Sequence, residues 1–291
     1  MAELCVGVLG ATSLVGECLL PLLTQAGWRV TALSRRAIDE STNNVNWSRI
    51  SSSMVSFSDG APKLLQWICV APIWVLPDYF EMMGACGARR VVALSSTSRF
   101  TKGRSSDVEG QAIARRLADA EEHFRTWAEG KSIEWVILRP TLIYGRGRDK
   151  NISDIARFIH RFGFFPVLGQ ANGLRQPVHA ADVASACLSA LNSPNATNRA
   201  YNISGAETLS YRAMVSRIFG ALGSRPRLLS FPMWIFRFAV ACLRLLPRYR
   251  HWSSAMADRM NQDLVFDNSD AARDLGFRPR SFKLSAPDLP G

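Results

Sequence analysis

The chain has 291 residues, enough for one sizeable α/β domain with a smaller appended lobe. Its hydrophobic content of 47% and mean hydropathy of 0.00 exclude a disordered chain. The net charge of +11 comes from five lysines and thirty arginines spread along the sequence, without a basic block or a recognisable nucleic-acid motif; phosphorylated ligands or an anionic surface fit this charge better than nucleic acid. The six cysteines (5, 18, 69, 86, 187 and 242) form no CxxC pair and read as small buried hydrophobes in a reducing compartment. No uncharged apolar run reaches the eighteen or so residues of a membrane span, and no basic leader precedes the first strand, so a cytoplasmic protein without a signal peptide is expected.

The elements predicted in chain order begin with an apolar strand, Leu4–Leu9, that meets Gly10-Ala11-Thr12-Ser13-Leu14-Val15-Gly16. A helix follows, then Gly27, a second strand over Val30–Leu33, and Arg35-Arg36. A dinucleotide needs this order. Gly10 permits the tight turn, the helix N-terminus faces the pyrophosphate, and Gly16 lets helix and strand pack closely. Ser13 stands where a three-glycine turn has its middle glycine; its hydroxyl would either bond a phosphate oxygen or narrow the approach. An acidic residue at the end of the second strand would select NAD(H); Arg35 and Arg36 favour NADP(H), because a guanidinium grips the 2′-phosphate. The alternatives are an ordinary βαβ start that binds nothing, and two arginines that are merely solvated.

A weak strand is expected near Val55–Phe57, a buried strand over Leu64–Ala71, a short helix over Asp78–Ala85 and a strand over Arg90–Ser95. A long helix over 107–129 leads to the strand Glu134–Arg139. Strands alternating with helices imply a Rossmann-type, doubly wound parallel sheet. Ligands then bind beyond the strand ends, at Gly10–Gly16, Ala71–Trp74, Ser95–Ser98 and Pro140–Gly145, which makes Ala71, Ser95 and Pro140 cofactor candidates. From 146 the pattern changes: helices over 151–162, 180–191, 211–222 and 232–246, and a strand over Tyr201–Ile203. The expected division is a dinucleotide-binding domain over 1–145 and a substrate lobe over 146–291, partly interleaved with it.

Four motifs, in order, resemble the extended short-chain dehydrogenase/reductase family, which contains NAD(P)-dependent sugar-nucleotide epimerases and dehydratases. They are Gly10–Gly16, the strand ending Leu94-Ser95-Ser96-Thr97, Leu138-Arg139-Pro140-Thr141-Leu142-Ile143-Tyr144-Gly145, and Pro177-Val178-His179-Ala180-Ala181-Asp182-Val183-Ala184. Ala271–Pro279 is a weaker fifth. The resemblance implies a small-molecule substrate such as a nucleotide-linked sugar, and a Ser/Thr at Thr97, with Ser96 the alternative if the register slips by one. It also implies a Tyr-x-x-x-Lys pair on the next long helix, where the tyrosine exchanges a substrate proton.

That pair is missing. The helix reads Gly110-Gln111-Ala112-Ile113-Ala114-Arg115-Arg116-Leu117, and an arginine will not give up its proton. The resemblance is therefore to the atypical branch, which includes NADP(H)-binding proteins without familiar turnover, such as a subunit of respiratory complex I. Tyr144 is the candidate replacement for the acid, with Lys102, Asp107 and Glu109 as further options, and His179 is a candidate on the substrate side. Each also reads as a packing or loop residue. The stretch 231–250, FPMWIFRFAVACLRLLPRYR, reads either as a lid helix or as a membrane-surface helix; the second reading would make a lipid-linked sugar or a membrane complex plausible. Two functions follow: an NADP(H)-dependent reductase, epimerase or dehydratase, or a cofactor-holding structural, assembly or sensor protein.

Overall fold

The computed structural model describes residues 4–38, 42, 44–50, 63–101, 108–232 and 260–290. The first strand, β1 (Cys5–Leu9), runs into α1 (Leu14–Gln25), β2 (Arg29–Ser34) and β3 (Val45–Arg49). Then come β4 (Gln66–Cys69), a 3₁₀ helix (Ile73–Tyr79), α2 (Phe80–Ala85), β5 (Arg90–Leu94), α3 (Ser98–Thr101), α4 (Val108–Gly130) and β6 (Glu134–Pro140). Six of these strands join β11 (Arg199–Ile203) in one seven-stranded parallel sheet, ordered β11-β6-β5-β4-β1-β2-β3. The β5 sequence RVVAL is buried at every position, as a strand covered on both faces requires.

Helices cover both faces of the sheet. On one, α1 and α6 (Ala180–Asn192) pack through Val15, Leu19, Leu23, Val183 and Cys187 against Val6, Val8 and Val92. On the other, the 3₁₀ helix, α2 and α4 set Ile73, Leu76, Met83, Leu117 and Phe124 against Leu9, Trp67 and Val91. The chain from β1 leads outward through β2 to β3, then returns to β4 on the opposite side of β1. The crevice between the ends of β1 and β4 is therefore the topological switch point, where open α/β sheets bind ligands.

The third strand is Val45–Arg49; the strand expected at Val55–Phe57 lies outside the described residues. The helix expected from Asp78 begins earlier, as 3₁₀ turns from Ile73 that run through Pro77, a residue with no N–H to donate. After Gly145 the chain divides its attention. Helix α6 and strand β11 return to the sheet, whereas α5 (Ile152–Phe162), β8 (Phe165–Leu168), α7 (Tyr211–Ala221) and Phe282 enclose a separate core. Short pairs complete this lobe: β7 (Ile143–Tyr144) with β10 (Val178–His179), β9 (Leu174–Arg175) with β12 (Leu209–Ser210), and β13 (Leu228–Phe231) with β8. The final helix, α8 (Ser269–Leu275), stops at Gly276 in the left-handed region.

Candidate functional site

At the switch point Gly10 has φ +80°, and a Cβ there would lie 2.4 Å from the Ala71 backbone nitrogen. The glycine is thus required by the approach of the β4 end as well as by the turn. A Cβ on Gly16 would lie 2.4 Å from the Ala11 carbonyl oxygen, which is the close helix packing that the motif needs. Ser13 caps α1: its hydroxyl accepts from Gly16 N–H at 3.1 Å and donates to the Val70 carbonyl at 3.4 Å. The hydroxyl is engaged in holding the helix start against β4. The N–H groups of Leu14 and Val15, in the first turn, have no acceptor inside an α-helix and carry the positive end of its dipole. These backbone donors fit a pyrophosphate. Thr12 is exposed, while the Val15 side chain is 4% exposed and belongs to the core. Arg35 and Arg36 are both exposed just beyond β2, and Ser34 Oγ fixes the Arg36 backbone N–H at 3.1 Å. Arg35 lies near Tyr79, whose hydroxyl burial and Asp78 push above the ordinary value while Arg35 pulls it back.

Beside this crevice, beyond the ends of β5 and β6, opens a cavity of about 520 Å³. Its inner wall is Ser96, Thr97, Ser98 and Thr141; its outer wall is Arg175, Gln176, Tyr211, Gln262, Leu264 and Phe266. Thr97 reaches it, but its Oγ1 donates to the Pro140 carbonyl at 3.2 Å and its N–H reaches the same oxygen at 3.1 Å. Ser96 Oγ accepts from Ser98 N–H at 3.1 Å, which leaves its own proton uncommitted among the described residues. Of the two, Ser96 is the better donor toward a ligand. The Thr141 hydroxyl bonds the Gln176 carbonyl and ties the two walls together.

A buried carboxylate braces the inner wall. Glu121 of α4 is 3% exposed and accepts from Ser95 Oγ (2.5 Å), Arg99 Nη1 (2.8 Å) and Arg139 Nη2 (2.6 Å). Ser95 therefore faces this network with its hydroxyl, while Pro140 supplies the carbonyl that anchors Thr97. Arg175 is 4% exposed; its Nη1 donates to the Leu174 and Gln262 carbonyls, both at 2.7 Å, and its guanidinium lies 5.6 Å from the centre of the Tyr211 ring. Burial pushes the Tyr211 hydroxyl up to about 12 against the pull of Arg175.

Two candidate residues lie elsewhere. Tyr144 is fully buried, edge-on to His179 (5.2 Å) and Phe282 (5.0 Å), and its hydroxyl has no hydrogen-bond partner. Burial, with Asp288 and Asp182 nearby, pushes that hydroxyl up to about 12. A side chain sealed in the lobe core cannot pass a proton to a ligand in the cavity, so the geometry speaks against Tyr144 as the acid. His179 is also turned away from the cavity. Its Nδ1 accepts from Ala181 N–H at 3.1 Å, capping α6, and its Nε2 meets Asp288 Oδ1 at 3.0 Å. Both ring nitrogens are committed, so its role is architectural and not on the substrate side. Asp182 of the same motif binds Arg280 through both carboxylate oxygens. Glu109 is exposed at the start of α4; Lys102 and Asp107 lie outside the described residues.

Residues 78–204 match the profile of the NAD dependent epimerase/dehydratase family. That match covers 127 of the 291 residues. Its sequence is similar to UDP-glucose 4-epimerase of Vibrio cholerae, 25% identical over 162 residues, covering 56% of this chain and 47% of that one. It is also similar to NADH dehydrogenase [ubiquinone] 1 alpha subcomplex subunit 9 of Arabidopsis thaliana, 25% identical over 161 residues, covering 52% and 40%. The matched segments span 40% to 60% of the lengths of the curated relatives. In fold, it superposes on UDP-glucuronic acid 4-epimerase of Bacillus cereus, in complex with UDP-glucuronic acid and NAD, with a TM-score of 0.71, 15% identity and coverage of 98% and 96%.

The sequence alone does not single out Arg175, Tyr211 or Glu121. One arginine among thirty carries no signal. Tyr211 follows the Ser210 cap as an ordinary first helical residue, and Glu121 sits in a helix rich in Arg and Glu. Burial of the Arg and Glu side chains is what sets them apart, and burial is a tertiary property.

Proposed function

We propose that the chain binds NADP(H) across the β1/β4 crevice and acts on a sugar nucleotide or similar anionic small molecule as a reductase, epimerase or dehydratase. The observation that carries the reading is the cavity beside that crevice, with hydroxyls on its inner wall and the Arg175 guanidinium on its outer wall. The names of the similar epimerases support the substrate class. When bound, NADPH would give a hydride to the substrate of a reductase, and NADP+ would take one up and return it in an epimerase or dehydratase. Leu14 and Val15 N–H hold the pyrophosphate, Arg35 and Arg36 the 2′-phosphate, and Gly10 and Ala71 shape the crevice between them. Ser96 donates a hydrogen bond to the substrate oxygen, with Thr97 fixed behind it, and Arg175 offsets substrate negative charge.

A second reading has its own support. The described cavity lining contains no Asp, Glu, His, Lys or Cys, and Tyr211, with its raised pKa, stays protonated at neutral pH. Together with the missing Tyr-x-x-x-Lys pair, this favours slow turnover or a cofactor-holding role in assembly or sensing. One titration separates cofactor choice from chemistry. NADPH should bind more tightly than NADH, and Arg35→Ala should remove about ten- to a hundredfold of NADPH affinity, one charge-assisted contact of about 1.5–3 kcal/mol. Equal affinities for the two cofactors by calorimetry would refute the NADP(H) preference. NADPH oxidation in the presence of UDP-sugars would then reveal a reductase, and a changed sugar product with the oxidised cofactor present would reveal an epimerase or dehydratase, whose hydride returns to the substrate; neither change would mark the silent holder.

A further inference from the structure

Arginines are spread along the chain, but the carboxylates are not. Residues 208–257 contain eight arginines and no Asp or Glu, and residues 155–181 contain three arginines and none either. The two stretches meet where β13 pairs with β8: Leu228 opposes Phe165, and the Phe165 N–H donates to the Arg227 carbonyl at 2.9 Å.

The same place exposes apolar surface. Phe162 is 52% exposed, Leu229 47% and Phe231 40%, three of the seven large hydrophobics exposed among the described residues. Leu229 and Phe231 are two apart on β13 and share one side of the strand. Phe162 belongs to an aromatic group at the end of α5, in which Phe158 lies 4.6 Å from Phe162 and 5.5 Å from the buried Phe165. Arg161 lies 5.5 Å from the centre of the Phe162 ring, and Arg225 and Arg227 are exposed just before β13. Beyond Pro232 the sequence continues MWIFRFAVACLRLLPRYR, with more aromatic, aliphatic and arginine residues; these lie outside the described residues.

We propose that the face built by the end of α5, β8 and β13 docks on an anionic lipid surface. A bilayer interface layers negative headgroups over hydrocarbon, and this face offers arginines beside half-exposed Phe and Leu. Arg157 and Arg217 are ion-paired with Asp154 and Glu207 and Arg175 is buried, so the charge this face offers an anionic leaflet is that of the exposed Arg161, Arg225 and Arg227. Among the described residues no helix is long and apolar enough to cross a membrane, and the contact proposed is a peripheral one. It stands independently of the cofactor and substrate assignments.

Sedimentation of the full chain with vesicles tests it. Binding is expected to vesicles of phosphatidylcholine mixed with phosphatidylglycerol, weakened by added salt, and absent with phosphatidylcholine alone. Neutralising a surface arginine should cost roughly fivefold in affinity, so Arg225→Ser with Arg227→Ser should cost about 25-fold. Phe162→Ser with Leu229→Ser should remove the binding that survives in salt. These exposed substitutions should leave thermal unfolding unchanged, and the salt and lipid dependence of the unaltered chain remains decisive even if one of them melts early. No binding to phosphatidylglycerol vesicles overturns the proposal. So does wild-type binding by both variants with a loss only on Trp234→Ser and Phe238→Ser, which would put the contact elsewhere. Capture by soluble heparin with vesicle binding absent would assign the face to a dissolved polyanion and also overturn it.

Discussion

The cofactor end and the lobe end of this molecule use similar-looking motifs for different purposes. At the β1/β4 crevice the first-turn N–H groups of α1 have no acceptor inside the helix, with a basic pair at the neighbouring strand end. At the lobe, the residues that look most chemical, Tyr144, His179 and Asp182, are consumed by the structure. His179 holds α6 and Asp288, Asp182 holds Arg280, and Tyr144 fills the space beside them. The Pro177–Ala184 motif and the chain end beyond Ala271 are thus latched to each other, through His179–Asp288 and Asp182–Arg280. A titratable side chain whose polar atoms are committed, or sealed in the core like the Tyr144 hydroxyl, belongs to the fold; one with an atom left over beside a cavity is a candidate for chemistry.

The sharpest way to break this comparison is at Glu121, which braces the cavity wall without touching a ligand. Glu121→Ala leaves Arg139, itself largely buried, without its carboxylate and should cost about 3–5 kcal/mol in urea unfolding. A loss under about 1 kcal/mol would mean that the network is dispensable and the wall is held by Thr97 and Pro140 alone.

Gly10→Ala should come next. The left-handed backbone costs about 1–2 kcal/mol for a residue with a Cβ, and the contact with Ala71 adds to it. The prediction is a joint loss of stability and dinucleotide affinity. Lost affinity with unchanged thermal unfolding would instead mean that the Cβ meets only the ligand.

Asp288 sharpens the lobe side through pH. Burial alone would raise its pKa, but hydrogen bonds from the Ser285 hydroxyl and N–H and from His179 outweigh it, and the carboxyl sits below its ordinary value. A depressed folded pKa gives stability that is present above the unfolded value, about 3.9, and is lost as pH falls through the folded value. Asp288→Asn should therefore flatten the acid limb of the stability curve below about pH 4. Parallel acid limbs in the two proteins would mean that the latch does not set the acid stability of the lobe.

The smallest effect is expected at Tyr144. Its hydroxyl is buried without a partner, so Tyr144→Phe should leave stability unchanged or raise it by up to about 1 kcal/mol, with cofactor binding and any turnover intact. A large fall in turnover at constant cofactor affinity would return this hydroxyl to the chemistry.

What the sequence determined by itself was local. The glycine turn, the strand runs and the long helix α4 follow from residue type and period, because a glycine at a positive φ and an apolar run bounded by turns specify their conformation within a few residues. The parallel sheet then followed from strand–helix alternation. The third strand is not legible in the sequence because Val45–Arg49 (VNWSR) carries a single buried side chain, too weak a pattern to mark a strand. The cavity wall was decided only in three dimensions. Ser96, Arg175 and Tyr211 come from three separate stretches, and which hydroxyl keeps a free proton depends on carbonyls brought close by other strands. Spacing along the chain can place a side chain on an element, but hydrogen-bond partners from distant segments decide whether it fastens the fold or faces the ligand.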